Sequence, residues 1–147
     1  EKAKQAGFTE SEIVTLASIV DEETDNEAEM PKIAGMYINR LHMNMPLQAD
    51  PTIKFATKNF TAHRIYQKWL TIDNPYNTYK YRGLPPGPIR IPSVAAIDAV
   101  LNYVHHDYIY MCAKEDFSGT HNFAKTYEEH QVNAAKYAKS LNEHGIN

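Results

Sequence analysis

The feature that most constrains the fold of this chain is an uneven distribution of proline and glycine. These residues crowd into the stretch from Pro75 to Pro92, around the run GLPPGP that starts at Gly83. Because proline lacks a backbone N–H donor and interrupts helices, this stretch predicts a long loop between two flanks with helical patterns. A long ordered loop in the middle of a domain usually has a functional role.

The composition is that of one ordinary globular domain. The 147 residues are 43% hydrophobic and 22% charged, which excludes disorder as the main interpretation. The net charge of −3 excludes a basic nucleic-acid arm. The apolar runs are far too short to span a bilayer. Since Glu1 is neither an initiating Met nor the start of a signal peptide, we expect a longer protein whose targeting sequence lies upstream.

The first predicted helix starts with a capping box at Thr9 and ends near Thr24. At about 100° per residue, Glu23 falls between Leu16 and Ile19 on the apolar arc of this helix. Burial raises the pKa of a carboxyl group and keeps it protonated, as a general acid requires, and cleavage of a glycosidic bond needs such an acid. The pattern leaves an alternative open, in which the helix end lets the side chain reach solvent.

The remaining elements follow from the same periodicity and capping signals. They are a helix from Pro31, a short helix with Asp50 as its cap, a segment from Ala62 to Ile72 that fits either helix or strand, a helix capped by Ser93, a strand from Asp107 to Ala113, a return strand from His121 to Ala124, and a closing helix from a second capping box at Thr126 to near Gly145. We therefore predict an α+β fold: a helix-dominated single domain with a small antiparallel β element.

Other chemistries find little support in the sequence. The histidines lack metal-ligand spacing, because His105 and His106 are adjacent and point apart, and a cap separates His121 from His130. Cys112 lies in a predicted strand with no sign of a nucleophile motif. We predict neither a metal nor a cofactor. The segment PYNTY from Pro75 combines aromatic faces with amide and hydroxyl groups, as sugar-binding grooves do, although aromatic residues are also common in cores.

Six ordered segments together resemble the signatures of the YceG-like family, the MltG-type endolytic murein transglycosylases of bacteria. They are LASIVDEET from Leu16, INRL from Ile38, MPLQADPT from Met45, PYNTY from Pro75, GLPPGPI from Gly83 and HNF from His121. The resemblance extends from about Leu16 to Tyr137. Asp21 is a departure, since many members have Glu at that position, and Lys54 to Asp73 follows no family motif.

The resemblance implies that Glu23 is the catalytic acid. Candidates for binding the sugar are Gln48, Asp50, Tyr76, Asn77, Thr78, Tyr79 and His121. It further implies a lytic-transglycosylase-like catalytic domain with its Glu at a helix end, which forms 1,6-anhydro muramoyl ends on peptidoglycan glycan strands. We expect Asn39 and Arg40 to connect helices, and Glu128 and His130 to lie on a solvated helix face.

The resemblance also sets expectations for the whole protein. Residues 1–147 would be the catalytic part of a protein held at the extracytoplasmic face of the bacterial cell membrane by one upstream helix, with the family's LysM-like region also outside this segment. Cell-wall synthases such as penicillin-binding proteins are candidate partners. Two alternatives stay open: a hydrolytic muramidase with Asp21 or Asp50 as its second carboxylate, and a non-catalytic glycan-binding module.

Overall fold

A computed structural model describes residues 7–59 and 67–145. In these residues the elements are α1 (Glu10–Glu23), α2 (Met30–His42), α3 (Asp50–Thr57), a short 3-10 helix (Gln67–Trp69), α4 (Val94–Leu101), β1 (Tyr110–Ala113), β2 (His121–Ala124) and α5 (Tyr127–Glu143). The predicted helix-dominated α+β class is confirmed. None of the helices described is long and apolar enough to cross a membrane.

The core forms where α1 packs against α2 and α4. Helical spacing on α1 and α2 directs large apolar side chains inward, and Leu16, Ile19, Ile33 and Ile38 are almost completely buried. Both hydrogen bonds of the capping box that starts α1 are present. The Thr9 hydroxyl accepts from the backbone N–H of Glu12, and the Glu12 carboxylate accepts from the backbone N–H of Thr9. The helix that holds Glu23 is therefore fixed at its start and along its buried face.

The β element is a two-stranded antiparallel sheet. Tyr110 pairs with Ala124 and Ala113 pairs with His121, and α5 packs over both strands. The first strand is shorter than the sequence indicated, because residues 107–109 are held by single contacts instead of a ladder, such as the bond from the Ile109 N–H to the Ala124 carbonyl. The sheet carries α5 to the side of the molecule that faces α2.

One close approach joins α2 to the segment that leads into β1. A Cβ atom on Gly35 would lie 2.2 Å from the carbonyl oxygen of Val104. The side-chain amide of Asn39 donates to the carbonyls of His106 and Tyr108, at 2.7 and 2.9 Å. Asn39 therefore connects α2 to this segment, and not to another helix as its sequence context suggested. The same expectation is wrong for Arg40, whose guanidinium donates to the carbonyls of Pro46 and Ile109, both outside the helices.

Two element predictions need correction or restriction. Asp50 does not cap α3; it is the first residue of that helix, the N-cap is Ala49, and no side chain caps the helix. The Asp50 carboxylate accepts a hydrogen bond from the Tyr79 hydroxyl instead. The sequence left the segment from Ala62 to Ile72 open between helix and strand. Its part up to residue 66 lies outside the described residues, and its remaining part forms the 3-10 helix and a turn.

Candidate active site

A cavity of about 570 Å³ opens where the end of α1 meets α2, α3, the sheet and α5. Its lining consists of Glu22 and Glu23 from α1, Met36, Tyr37 and Arg40 from α2, Leu47, Gln48, Asp50, Pro51, Lys54 and Phe55 in and before α3, Tyr79 and Ile89 from the long loop, residues 109–113, His121, and His130, Ala134 and Tyr137 from α5. A cleft of this size with several polar groups is the usual form of a small-molecule or saccharide site.

Glu23 is the last residue of α1 and faces this cavity. The next residue, Thr24, has extended backbone angles, and its hydroxyl donates to the carbonyl of Gly119 at 3.2 Å while accepting from the N–H of Asn26. These bonds end the helix immediately after Glu23. The carboxyl group thus lies at the edge of the core, between buried side chains and the cavity.

Burial raises the pKa of the Glu23 carboxyl group to about 8. The hydrogen bond from Tyr37 lowers this pKa, and the charge of Asp50 raises it. A carboxyl group with this pKa is protonated at neutral pH and can donate its proton to a leaving-group oxygen. The environment therefore gives Glu23 the protonation state that a general acid needs.

Tyr37 is the side chain that holds Glu23. It is buried in the core, and its hydroxyl donates a short hydrogen bond to Oε2 of Glu23. The helical spacing of Tyr37 with other apolar residues of α2 predicts an inward side chain and nothing more. The available signal was that a buried tyrosine hydroxyl nearly always has a partner, but the sequence does not say which one.

A second carboxyl group, that of Asp50, opens onto the same cavity. The hydroxyl of Tyr79 donates to it at 2.5 Å. Asp50 as a whole is exposed, but the protein packed around its carboxyl group raises the pKa of Asp50, and the hydrogen bond from Tyr79 opposes this rise. The site therefore combines two hydrogen-bonded pairs of carboxyl group and tyrosine, Glu23 with Tyr37 and Asp50 with Tyr79.

Gln48 lies beside Asp50 in a strained backbone conformation. Its φ of 50° is in the left-handed region, which a residue with a Cβ atom adopts at a cost of about 1 kcal/mol or more. The conformation is held because the Gln48 N–H donates to the carbonyl of Thr78 at 3.2 Å. The side chain is exposed to the cavity. Strain of this kind is typical of residues whose orientation matters for binding.

Tyr76, Asn77 and Thr78 do not line the cavity. Asn77 is completely buried and donates to the carbonyls of Leu70 and Ile72 at 3.0 and 2.8 Å. The buried Thr78 hydroxyl accepts from the N–H of Ala49 at 2.9 Å, and Tyr76 packs on Phe55 with their ring centres 4.8 Å apart. In the structure these residues fix the loop that carries Tyr79 and the strained turn that carries Gln48; a role in binding sugar stays a prediction.

His121 is at the start of β2 and lines the cavity from the side of the sheet. Its Nδ1 lies 2.5 Å from Oε1 of Glu29, and its backbone N–H donates to the other carboxylate oxygen at 2.9 Å. Glu29 therefore fixes both the ring and the strand that bears it. Glu29 was not predicted from the sequence as a partner of His121, because the two residues are 92 positions apart in the chain.

Asp21 and Asp50 lie in different places, although the sequence offered both as a second carboxylate. Asp21 accepts from the N–H of Ser93 at 2.8 Å, lies 3.7 Å from the guanidinium of Arg90, and is not part of the cavity lining. The Asp21 carboxylate is thus used to connect α1 to the start of α4. Asp50 alone of the two faces the same space as Glu23.

The expectation that His130 lies on a solvated helix face is wrong. His130 is half-buried, lines the cavity, and stacks on Tyr110 with ring centres 5.1 Å apart. Burial and the charge of Arg40 both lower the pKa of His130. The reason is that α5 packs on the sheet, which directs His130, Ala134 and Tyr137 into the cavity; this i, i+4, i+7 spacing was the missed signal. Glu128 is exposed, as expected.

Cys112 lines the cavity, but its burial raises the pKa of the thiol to about 11. A neutral thiol is a poor nucleophile, so Cys112 acts as a small apolar wall residue. Within residues 7–59 and 67–145, no group of three or more His, Cys, Asp or Glu side chains is arranged to hold a metal ion.

Known proteins similar to this chain carry related names. A protein of Bacillus subtilis (strain 168), named endolytic murein transglycosylase, is 42% identical over 131 residues, which cover 89% of this chain and 36% of that protein. A protein of the same name from Streptococcus pneumoniae serotype 2 (strain D39 / NCTC 7466) is 34% identical over 141 residues, covering 93% of this chain and 25% of that protein. The chain thus spans about a third or less of the length of these relatives.

A crystal structure of a YceG-like protein from Listeria monocytogenes has the same fold, with a TM-score of 0.80 and 34% sequence identity over 89% of this chain and 42% of that one. The sequence profile of the YceG-like family matches residues 1–136. On this match, which covers most of the 147 residues, the chain belongs to the YceG-like family.

Proposed function

We propose that this chain is the catalytic domain of an endolytic murein transglycosylase. The substrate would be the glycan strands of peptidoglycan, and the bond cleaved would be that between N-acetylmuramic acid and N-acetylglucosamine. The observation that carries the proposal is the environment of Glu23, a carboxyl group held by Tyr37 at the edge of a cavity and protonated at neutral pH. The names of the relatives from Bacillus subtilis and Streptococcus pneumoniae support the choice of substrate.

In the first step, the protonated Glu23 donates its proton to the oxygen that links the two sugars. The bond from that oxygen to the anomeric carbon C1 of the muramoyl residue breaks, and positive charge develops at C1. Asp50 opens onto the same cavity, where its negative charge stabilises this cationic centre. Tyr37 keeps the Glu23 carboxyl group from rotating during the transfer.

In the second step, the Glu23 carboxylate accepts the proton of the muramoyl C6 hydroxyl, and the C6 oxygen forms a bond to C1. The product is a 1,6-anhydro muramoyl end, and Glu23 regains its proton. The nucleophile belongs to the substrate itself, so the reaction gains from proximity and needs no water. One carboxyl group therefore serves as acid and then as base.

The proposal extends to the whole protein of which this chain is a part. Residues 1–147 act as the catalytic domain of a longer protein, held by one membrane helix at the extracytoplasmic face of the cell membrane. The strands it cuts are nascent, and cell-wall synthases are its partners. These points rest on the family to which the chain belongs.

The test is mass spectrometry of the products formed from uncrosslinked glycan strands, with the wild type beside Glu23→Gln. We expect anhydro muramoyl ends from the wild type and a loss of about 10²- to 10⁴-fold in the variant, because glutamine cannot transfer the proton. Reducing ends instead of anhydro ends would indicate a hydrolytic muramidase with Asp50 as the second carboxylate. Binding of strands without cleavage, by a folded wild type, would indicate a glycan-binding module.

A further inference from the structure

Arg40 is a buried cation at the wall of the cavity. Its side chain is on α2, and only 4% of the residue is exposed. Its Nε donates to the carbonyl of Pro46 at 2.9 Å, and Nη1 donates to the carbonyl of Ile109 at 2.6 Å. Both acceptors are neutral, so these bonds fix the position of the guanidinium but do not balance its charge.

The charge of Arg40 has no counter-ion in the part of the chain that the structure describes. No Asp or Glu side chain of residues 7–59 and 67–145 lies within 4.0 Å of the guanidinium. The guanidinium carbon lies 5.5 Å from the centre of the Tyr110 ring, a cation–π contact that supplies no negative charge. Buried charges in folded proteins are normally paired, because an unpaired one is costly. An unpaired buried arginine at the wall of a cavity indicates that an acceptor of the ligand completes it.

The guanidinium also has donors to spare. Of its five N–H bonds, the two that contact Pro46 and Ile109 are used. In residues 7–59 and 67–145, no group accepts a hydrogen bond from Nη2 of Arg40. A fully enclosed nitrogen without a partner occurs there only at Nδ1 of His130, so Nη2 is not fully enclosed by protein. The Nη2 edge of Arg40 is therefore open to the cavity.

Arg40 and Glu23 are both neighbours of Tyr37 on the wall of the cavity. Tyr37 and Arg40 are three residues apart on α2, so their side chains lie on the same face, with about 5–6 Å between their Cβ atoms. The Tyr37 hydroxyl contacts Glu23. Arg40 faces the same cavity as Glu23, and the one acidic substituent that a muramoyl ring carries is the lactyl group at C3.

We propose that Arg40 forms a subsite for the lactyl carboxyl group at C3 of the muramoyl residue whose C1 reacts at Glu23. In strands without stem peptide this group is a free carboxylate, which balances the charge of Arg40. Where a peptide is attached, as in nascent strands, it is a neutral amide carbonyl, which accepts a hydrogen bond from the guanidinium without balancing its charge. N-acetylglucosamine has only a hydroxyl at C3, so the subsite selects the muramoyl residue for cleavage. The planar guanidinium fits a carboxylate best, and its two anchoring bonds limit the entropy lost on binding. The inference rests on the proposed function, because it assumes that a glycan strand occupies the cavity.

The test measures binding of three tetrasaccharides to the Glu23→Gln variant, which does not cleave them. They are an alternating muramoyl tetramer with free lactyl carboxylates, the same tetramer with each lactyl group converted to its amide, and a tetramer of N-acetylglucosamine. We expect the carboxylate form to bind about tenfold or more tightly than the N-acetylglucosamine tetramer, with the amide form between them.

Adding Arg40→Met is expected to remove this preference, so that the three ligands bind with dissociation constants within about twofold of one another. Arg40→Lys keeps the charge but loses the planar fork, and it should retain only part of the preference. Arg82→Met is the matched control, because Arg82 is exposed and does not line the cavity, and it should leave the preference unchanged. Circular dichroism and melting curves show which variants fold.

If Arg40 were only structural, its substitution would weaken all three ligands together and leave their ratio intact, which would overturn the proposal. Failure of the carboxylate form to bind Glu23→Gln at millimolar concentration would overturn it as well. If Arg40→Met does not fold, an unchanged ratio in Arg40→Lys has the same meaning. The product assay tests the proposed function separately. If anhydro ends form but the ratio of the three dissociation constants does not depend on Arg40, only the subsite is contradicted. If the carboxylate form is preferred but no strand is cleaved, only the lyase activity is contradicted.

Discussion

At the scale of single residues, two neighbours adjust the acidity of Glu23 in opposite directions. The Tyr37 hydroxyl lowers the pKa of Glu23, and the Asp50 charge raises it. In the proposed mechanism the protonated form of Glu23 is the active acid, so kcat/KM falls as pH rises through this pKa. Tyr37→Phe should therefore move the falling limb of the pH profile above its wild-type position near pH 8, and Asp50→Asn should move it below.

The measurement is kcat/KM for release of anhydro ends between pH 5 and 10, for the wild type and both variants. We expect each substitution also to lower the rate by about tenfold or more, because in the proposed mechanism Tyr37 orients the acid and Asp50 stabilises charge. That loss alone does not test the account. Two limbs that shift in the same direction, or that do not shift, would contradict the electrostatic assignment.

Glu23 also makes the stability of the fold depend on pH. Its pKa is about 8 in the folded chain against an ordinary value of 4.5, so between these values the folded state binds more protons than the unfolded state. The free energy of unfolding therefore falls as pH rises through this range. Glu23→Gln removes this loss, and we expect it to be more stable than the wild type by about 1–4 kcal/mol at pH 8.5 but close to it at pH 4.5.

Urea unfolding of the wild type and Glu23→Gln at both pH values measures this difference. A constant difference in stability across the range would mean that Glu23 titrates in the folded chain as it does in solvent. The burial of its carboxyl group would then be contradicted.

Single residues also set the limit of prediction from sequence. Glu23 could be found because a carboxylate on an apolar helical arc is an anomaly that periodicity exposes. Tyr37, Arg40 and His130 could not, because a tyrosine on the inward face of a helix, an arginine near a helix C-terminus and a histidine on an amphipathic helix all have ordinary structural explanations. What distinguishes them is the partner that each one meets, or lacks, in three dimensions.

At the scale of elements, the contact of α2 with the segment before β1 keeps the two sides of the cavity together. Gly35→Ala places a Cβ atom 2.2 Å from the carbonyl oxygen of Val104, which must then move. We expect a loss of about 1–3 kcal/mol in the free energy of unfolding, because overpacking exceeds the gain in helix propensity of about 1 kcal/mol. Thermal or urea unfolding measures it.

Gly87→Ala is the matched control. The nearest atom to its added Cβ is the Tyr76 hydroxyl oxygen at 3.4 Å, an ordinary contact, and the φ of Gly87 is not positive. Alanine there should be neutral or slightly stabilising, by at most about 1 kcal/mol. Equal effects of the two substitutions would show that α2 and the segment at Val104 are less closely packed than the structure indicates.

The elements themselves were largely predictable, since periodicity and caps are local signals. The helices that start after Thr9, Ser93 and Thr126 have those residues as N-caps, each accepting from the backbone three residues later. Asp50 failed as a cap because a tertiary partner, Tyr79, holds its carboxylate. The local pattern of Asp followed by Pro indicated a helix start correctly but could not indicate that the side chain faces the cavity.

At the scale of the whole molecule, the site combines residues that are far apart in the chain. Glu23, Asp50, Tyr79 and His130 reach one cavity from α1, α3, the long loop and α5. The long loop contributes Tyr79 to the cavity directly, and Asn77 and Thr78 brace the turns from which Gln48 and Tyr79 face it. A functional role of the loop stays a prediction. No local pattern specifies this assembly, which is why the sequence yielded candidate residues and not their geometry.

The central claim is that Glu23 uses the substrate's own C6 hydroxyl, and not water, to cleave the glycan. The most direct test is cleavage of uncrosslinked strands in water labelled with heavy oxygen, followed by mass spectrometry of the new muramoyl ends. The account predicts ends that are one water lighter than the hydrolysis product and carry no label, and that disappear in Glu23→Gln. Reducing ends that carry the heavy oxygen would contradict it, because only attack by water introduces that atom.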